Sequence, residues 1–365
     1  MSTETTRKML RVYEQMARPV LFLSGLFSSP PENFHTSEEV EFDIVRSDEE
    51  VAIVVTDMST GHRMNSEDLY TNKSFKPPVY KEAIPLSSFD LIKRMPGQDP
   101  FQEPNFRANL IHRIFKGVAL EEAKIRRAFE LQASQVLQTG TVSLTDKNGV
   151  PLYVLDYKPK ATHFPTAGVS WATATGAQKL NDINSLAEVI RNDGLEDPDQ
   201  LIMGIDAFTN FIADETVQKQ FDNRNIYQGT FGPMEMRGNG GTYRGIVEIG
   251  NYKYDVWTYG GRYNHPQTTV KTMFIEPGNV IVRSSQGRLD ATFGAIPNIA
   301  ELLGVGSAKL LPELPGRLSS SQGGMDLFVN AWLSENGEQI FAGVGARPLA
   351  VPTAIDTYGC IATQL

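Results

Sequence analysis

Residues 104–140 read PNFRANLIHRIFKGVALEEAKIRRAFELQASQVLQTG, with no proline after the first residue and one internal glycine, Gly117. Phe106, Leu110, Ile111, Ile114, Phe115 and Val118 recur at the i, i+3, i+4 spacing of one helical face. Ile125, Phe129, Ala133, Val136 and Leu137 continue that face after a polar interruption at Glu121 and Glu122. Pro104 suits the first turn, where its missing N–H is not needed, and Gly140 suits the exit. Glu122 and Arg126 add an i, i+4 ion pair on the wet side. At a rise of about 1.5 Å per residue such a helix is roughly 50 Å long, against the ~30 Å of a small compact domain. One small domain cannot cover a stripe of that length, so the helix is a spine onto which other elements are laid. Gly117 costs about 1 kcal/mol relative to alanine, which allows a bend or a break there. A long helix inside an ordinary α/β enzyme fits the same stripe.

A chain of 365 residues suggests two or three structural units rather than one. Its 41% hydrophobic and 21% charged content is that of a soluble globular protein. No apolar run approaches the ~18–20 residues of a membrane span. The start, MSTETTRKMLRVYEQM, is polar and lacks the apolar core of a signal peptide. Cys360 is the single cysteine, which excludes an intramolecular disulfide and makes a reducing cytosolic origin the default. The 34 basic and 43 acidic residues leave a net charge of −9 with no basic block, so the chain repels nucleic acid rather than clamping it.

In chain order, the cluster VLFLSGLF (Val20 to Phe27) is followed by Pro30 and Pro31, which stop any helix. Leu21, Phe22, Leu23, Leu26 and Phe27 need a partner surface, either on a neighbouring subunit or on the chain's own core. Strands are predicted at Val40–Val45 and Val51–Val55, followed by a polar stretch from Thr56 to Lys76. Pro77 to Leu86 alternates again, with prolines that confine it to an edge or a bulge. The economical reading is a long β-hairpin projecting from the body. After the spine, Asn148-Gly149 marks a tight hairpin turn, and Lys158 to Gly176 is a linker holding Trp171. The next block predicts a helix over Asn181–Arg191, a strand over Leu201–Ile205, and a helix over Ala207–Phe221 capped by Asp206. Strands then follow in GIVEIG, YKYDVWTY, TVKTMFIEPG and NVIVRSS. Leu327–Leu333 and Gln339–Val344 form a last strand pair before a hydrophobic tail.

The glycine-rich run Arg237 to Gly245 lacks the ending of a phosphate-cradling loop and reads as a flexible loop. His35, His62, His112, His163 and His265 are scattered, without metal-ligand spacing. No nucleophile elbow occurs. The carboxylate pairs Glu121-Glu122 and Asp214-Glu215 read as solvated helix surface rather than acid/base machinery. No catalytic, cofactor-binding or metal-ligating residue is therefore assigned, no cofactor is expected, and the chain is not read as an enzyme. An arm, a projecting hairpin and an overlong helix point to self-assembly.

The stretch KSFKPPVYKEAIPLSSFDLIKRMPGQDP (Lys73 to Pro100), the helix ending VLQTG, and MDLFVNAWLSENGEQ (Met325 to Gln339) resemble the major capsid protein E family of lambda-like tailed bacteriophages. The resemblance implies an α+β fold of the Hong Kong ninety-seven type. On that fold, residues 1–39 are the N-terminal arm and 46–85 the E-loop hairpin. Residues 40–45 and 86–181 are the peripheral domain with its spine helix. Residues 182–321 are the axial domain, and 322–365 the closing strands and C-terminal tail. It further implies a bacteriophage virion protein assembled in the host cytoplasm into hexamers and pentamers of an icosahedral head. The expected partners are other copies of itself, a separate scaffolding protein, a portal protein, a decoration protein, and packaged double-stranded DNA without specific binding, with no membrane. Lys73 and Lys76, with Asn330 or Asn336, are residue types that cross-link in some relatives, but no cross-link is predicted. An encapsulin-type nanocompartment shell is the alternative reading, and a soluble α/β enzyme with an unrecognised site comes after it.

Overall fold

The computed structural model describes residues 21–35, 37, 39–45, 70–87, 106–145, 150–220, 240–265, 268, 270–296, 326–334 and 339–363. The spine is one uninterrupted helix, α1 (Phe106–Thr139); Pro104 lies outside the described residues. Gly140 ends it in the left-handed region at φ 67°, where a side chain is strained. The helix does not break at Gly117. This glycine is the point of close approach, where an added Cβ would sit 3.1 Å from the Ile84 side chain. The predicted stripe is buried along its second half, at Ile125, Phe129, Ala133, Val136 and Leu137. In the first half Ile114 is buried, while Phe115 is partly exposed. Glu121, expected on the surface, is only 4% exposed, and Lys124 Nζ covers its carboxylate at 2.9 Å.

Strand β1 (Val40–Val45) pairs antiparallel with β2 (Tyr70–Phe75). The predicted strand Val51–Val55 lies outside the described residues, and the partner comes instead from the polar stretch. YTNKSF carries two large apolar residues, too few for periodicity to mark a strand. Strand β3 (Tyr80–Ser87) is the edge of a three-stranded sheet, as its prolines require. Residues 80–85, expected within the projecting loop, are thereby part of the body. The central neighbour is β14 (Gln339–Ala346), flanked on its other side by β13 (Phe328–Leu333). After the spine, β4 (Thr141–Thr145) and β5 (Pro151–Asp156) form the expected hairpin; its turn lies outside the described residues. Gln135 on the spine occupies the other edge of β4, accepting from Ser143 N–H at 3.0 Å and donating to its carbonyl at 2.9 Å.

In the second block, α2 (Gly176–Gly194) starts five residues earlier than its apolar pattern suggests, because Thr175 and Gln178 form a capping box. Strand β6 (Gln200–Met203) follows. The single helix expected after it is two: α3 (Ile205–Ile212), capped at Gly204 with Asp206 in its first turn, and α4 (Glu215–Gln220). Asp214 divides them. Its carboxylate accepts Thr216 N–H at 2.8 Å and Gly176 N–H at 2.7 Å, so this carboxylate, expected on open surface, joins the starts of two helices. The rest of the block is β7 (Gly241–Ile249), β8 (Tyr252–Tyr259), β9 (Arg262–Asn264), β10 (Lys271–Met273), β11 (Asn279–Arg283) and β12 (Asp290–Phe293). Two more strands, β15 (Pro348–Val351) and β16 (Tyr358–Ala362), close the chain.

The main sheet has the order β16-β11-β6-β8-β7, with β6 and β8 parallel and the other pairs antiparallel. Against it α2 packs Ile183, Leu186, Ala187 and Ile190 onto Leu201, Met203, Val256 and Val280. The hydrophobic tail does not stay with the closing strands. As β16 it forms one edge of this sheet, bonded to β11 from Asn279↔Ala362 to Arg283↔Tyr358. The glycine-rich run, expected to be a flexible loop, is strand β7 from Gly241 onward; residues 237–239 lie outside the described residues.

Candidate functional site

The N-terminal cluster resolves onto the chain's own core rather than a neighbour's. Phe22, Leu23 and Phe27 are 7%, 0% and 6% exposed, and they join the cluster built by Phe129, Ala133 and Val136 of the spine. Pro31–Asn33 forms one short 3-10 turn, and the chain runs beside β12 on both sides of it. Ser28 N–H donates to Leu289 carbonyl at 2.8 Å, Ala291 N–H to Ser28 carbonyl at 2.7 Å, and His35 N–H to Phe293 carbonyl at 2.9 Å. Phe34 stacks on Phe293 with ring centres 4.8 Å apart. Residues 1–20 lie outside the described residues.

The side chains that position these parts sit on the spine. Glu130, Ser134 and Gln138 stand at i, i+4 and i+8, one above the other on one face. That face meets the second block. Tyr259 Oη on β8 donates to Glu130 Oε1 at 2.8 Å. Ser134 Oγ donates to the Phe274 carbonyl. Gln138 donates to the same carbonyl at 2.9 Å and accepts from Glu276 N–H and Asn279 Nδ2, each at 2.9 Å. A neighbouring position, Gln132, faces the sheets instead, donating to Tyr80 Oη at 2.7 Å and to the Pro348 carbonyl at 3.3 Å. Arg126 pairs with Asp326 through both guanidinium nitrogens and lies 3.7 Å from Glu122. Arg347, 4% exposed, ties the Ala295 carbonyl at 2.8 Å to the Pro77 carbonyl at 3.3 Å.

Two buried carboxylates hold the N-terminal segment. Glu130 is fully buried and also accepts Leu23 N–H and Ser24 N–H, each at 2.8 Å. Burial pushes its carboxyl up from the ordinary 4.5, and the bonds from Ser24, Leu23 and Tyr259 offset this only in part. Asp290 accepts Ser28 Oγ at 2.9 Å, Thr353 Oγ1 at 2.6 Å and Arg288 Nε at 2.7 Å. Burial pushes it up too, but the bonds from Thr353, Ser28 and Arg288 prevail and hold it below 3.8.

The histidines do not gather. His35 runs along β12, His112 is exposed on the spine, His265 follows β9, and His62 lies outside the described residues. His163 is buried between the Tyr358 carbonyl at 2.9 Å and Asp193 at 3.1 Å. Cys360 is buried in β16, and burial first, then the Glu276 charge, pushes its thiol up to about 12. Among the described residues, no group of three or more His, Cys, Asp or Glu is placed to hold a metal ion. A cavity of about 150 Å³ lies between the linker and α2, and Asp182 in its wall is taken by the Trp171 indole N–H at 2.9 Å. No described helix is long and apolar enough to cross a membrane. The chemistry on display is docking: directional bonds that set one block against another.

The sequence reading did not single out Glu130, Gln132, Ser134, Gln138 or Asp290. The i, i+4, i+8 spacing of 130, 134 and 138 on an otherwise apolar stretch was the one available signal.

The model of the phage major capsid protein E family matches residues 5–358. No curated protein matches the chain. Among solved structures, the chain is similar to a prophage capsid protein from Escherichia coli CFT073, with a TM-score of 0.58 and 16% identity over 81% of this chain and 80% of that one. An encapsulin complex from Synechococcus elongatus PCC 7942 aligns at TM-score 0.45 and 11% identity, over 100% of this chain and 95% of that one. The capsid of Myoviridae phage XM1 aligns at TM-score 0.43 and 12% identity, over 99% and 98%. The spine with its two laid-on blocks is the mixed helix-and-sheet fold of Hong Kong ninety-seven type capsids, and the chain belongs to the phage major capsid protein E family, the structural proteins of the virion shell.

Proposed function

We propose that this chain builds an icosahedral phage head from hexamers and pentamers, in the host cytoplasm, around double-stranded DNA that it does not bind specifically. The three-stranded sheet and spine serve as the peripheral domain, and the block built on the five-stranded sheet serves as the axial domain. Residues 1–39 serve as the N-terminal arm, and β1 with β2 forms the root of the E-loop hairpin, 46–85. The observation that carries this reading is the β1–β2 ladder. It pairs with no other strand among the described residues. At its base the register partners Val40 and Phe75 are both buried, and Phe75 meets Tyr157 edge-on at 5.3 Å. A two-stranded hairpin is marginal in water by itself, so a ladder rooted in the core and joined to no other described strand calls for cover from another copy.

A net charge of −9 supports a lining over which DNA slides rather than sticks. A scaffolding protein, a portal and a decoration protein complete the partners of such a shell. Co-expression with a scaffolding protein of the same phage is expected to give closed particles tens of nanometres across, by light scattering and negative-stain imaging. A persistent monodisperse monomer under those conditions sinks the proposal.

A further inference from the structure

Residues 22–24 are inserted between the spine and the edge of the five-stranded sheet. The Phe22 ring lies 5.7 Å from Trp257 and 5.3 Å from Tyr259, centre to centre. Gly241 on the edge strand β7 makes room for it: a Cβ there would stand 2.4 Å from the ring. Immediately after Phe22, the backbone N–H groups of Leu23 and Ser24 take one oxygen each of Glu130, and Tyr259 Oη shares the first. One carboxyl thus joins the N-terminal segment, the spine and β8, and the segment's own backbone N–H groups sit on both of its oxygens. We propose that the segment 22–24 is a removable wedge between the spine and the β7–β8 edge, and that its seating is governed by the proton on Glu130.

The surroundings of Glu130 set the direction. Phe22, Leu23 and Ser24 bring no charge. From β8 the titratable contact is Tyr259, a neutral phenol that burial holds far above its ordinary value. Tyr243 of β7 is turned to Asp255 at 3.0 Å, and Tyr263 packs on Phe274. On the spine, Arg126 is committed to Asp326 and Glu122, and Arg127 lies one turn back. Burial is the largest influence on the Glu130 carboxyl and raises it. Lifting the wedge returns water to that carboxyl and lets it fall back toward 4.5. The seated form therefore holds the proton more tightly than the lifted form, so acid seats the wedge and rising pH loosens it. On protonation the carboxyl O–H donates to Tyr259 in place of the bond it received, the N–H groups keep their oxygens, and the phenol proton gives up the carboxylate as its acceptor.

The test is amide hydrogen exchange on unassembled full-length subunits, corrected for the intrinsic pH dependence of exchange. Protection of residues 21–27 is expected to fall as pH rises from acid to mildly alkaline, by about tenfold for each pKa unit by which burial raises the carboxyl. Glu130→Gln keeps the shape without the titration and is expected to show protection that does not change with pH. Phe22→Ala, which titrates nothing, is expected to speed exchange in 21–27 and in β8 at every pH while leaving the slope in place. Flat protection in the unmodified chain, or an unchanged slope in Glu130→Gln, overturns the proposal. The readout needs no shell, so its failure is separate from a failure to assemble.

Discussion

Glu130 and Asp290 hold the same N-terminal segment and yet titrate in opposite directions, and the donors explain it. Glu130 is bonded by neutral groups alone, which do not match the cost of taking a carboxylate out of water. At Asp290 the hydroxyl bonds from Thr353 and Ser28, joined by the Arg288 guanidinium, together outweigh that cost. The linkages follow with opposite signs. Glu130, raised in the fold, contributes stability that is complete below 4.5 and lost as pH rises through its folded value. Asp290, depressed in the fold, contributes stability present above 3.8 and lost as pH falls through its lower folded value. Asp290→Asn is expected to cost about 1–3 kcal/mol near neutrality, because buried donors lose their strong acceptor. It is also expected to flatten the acid limb of melting temperature against pH. Superimposable acid limbs would show that Asp290 is not the group responsible. Neither role was readable beforehand, since the bonds of Glu130 reach 107 and 129 positions along the chain.

At the scale of elements, close approach decides what glycine does. Gly117 reads in the sequence as a weak point in a helix, whereas in the fold it admits Ile84 of β3. Gly241 reads as part of a flexible loop, whereas it is an edge-strand residue beneath the Phe22 ring. Gly241→Ala is therefore expected to destabilise the subunit by about 1–3 kcal/mol through overpacking. Gly168→Ala is the matched control: nothing lies within 4 Å of its added carbon, and its effect is expected to stay within about 0.5 kcal/mol. Urea midpoints of the two variants check this, and equal midpoints would mean that the ring is not held against β7. The spine itself was legible end to end, because an apolar repeat of helical period needs no knowledge of what covers it. Its uneven cover was not, with Phe115 and Leu120 37% and 41% exposed where Leu137 is fully buried.

At the scale of the molecule, the last strand closes the second block. Tyr358, Cys360 and Ile361 are buried, β11 takes its outer ladder from them, and the linker bonds to the same strand through Ala167 N–H at 2.9 Å. Three such side chains contribute roughly 1.5–3 kcal/mol each, together comparable to the ~5–15 kcal/mol that holds a whole domain folded. A chain ending at Thr357 is expected to be insoluble or to lose cooperative unfolding, checked by sedimentation and a thermal melt. A soluble truncated subunit with an unchanged melting temperature would show that the sheet closes without β16. Sequence alone determined the spine, the β8 and β11 strands, the edge position of β3 and the family, because each rests on local period, on proline's missing N–H, or on a pattern spread over the whole chain. The tertiary structure decided that β1 takes its partner from YTNKSF, that the tail crosses into the five-stranded sheet, that Phe22 wedges against Gly241, and that Glu130, Ser134 and Gln138 face the second block. These are choices among distant partners. A strand's pattern says that it needs a neighbour but not which one, and a polar residue on an apolar helix gives no sign of the donor that will reach it until the chain has closed around both.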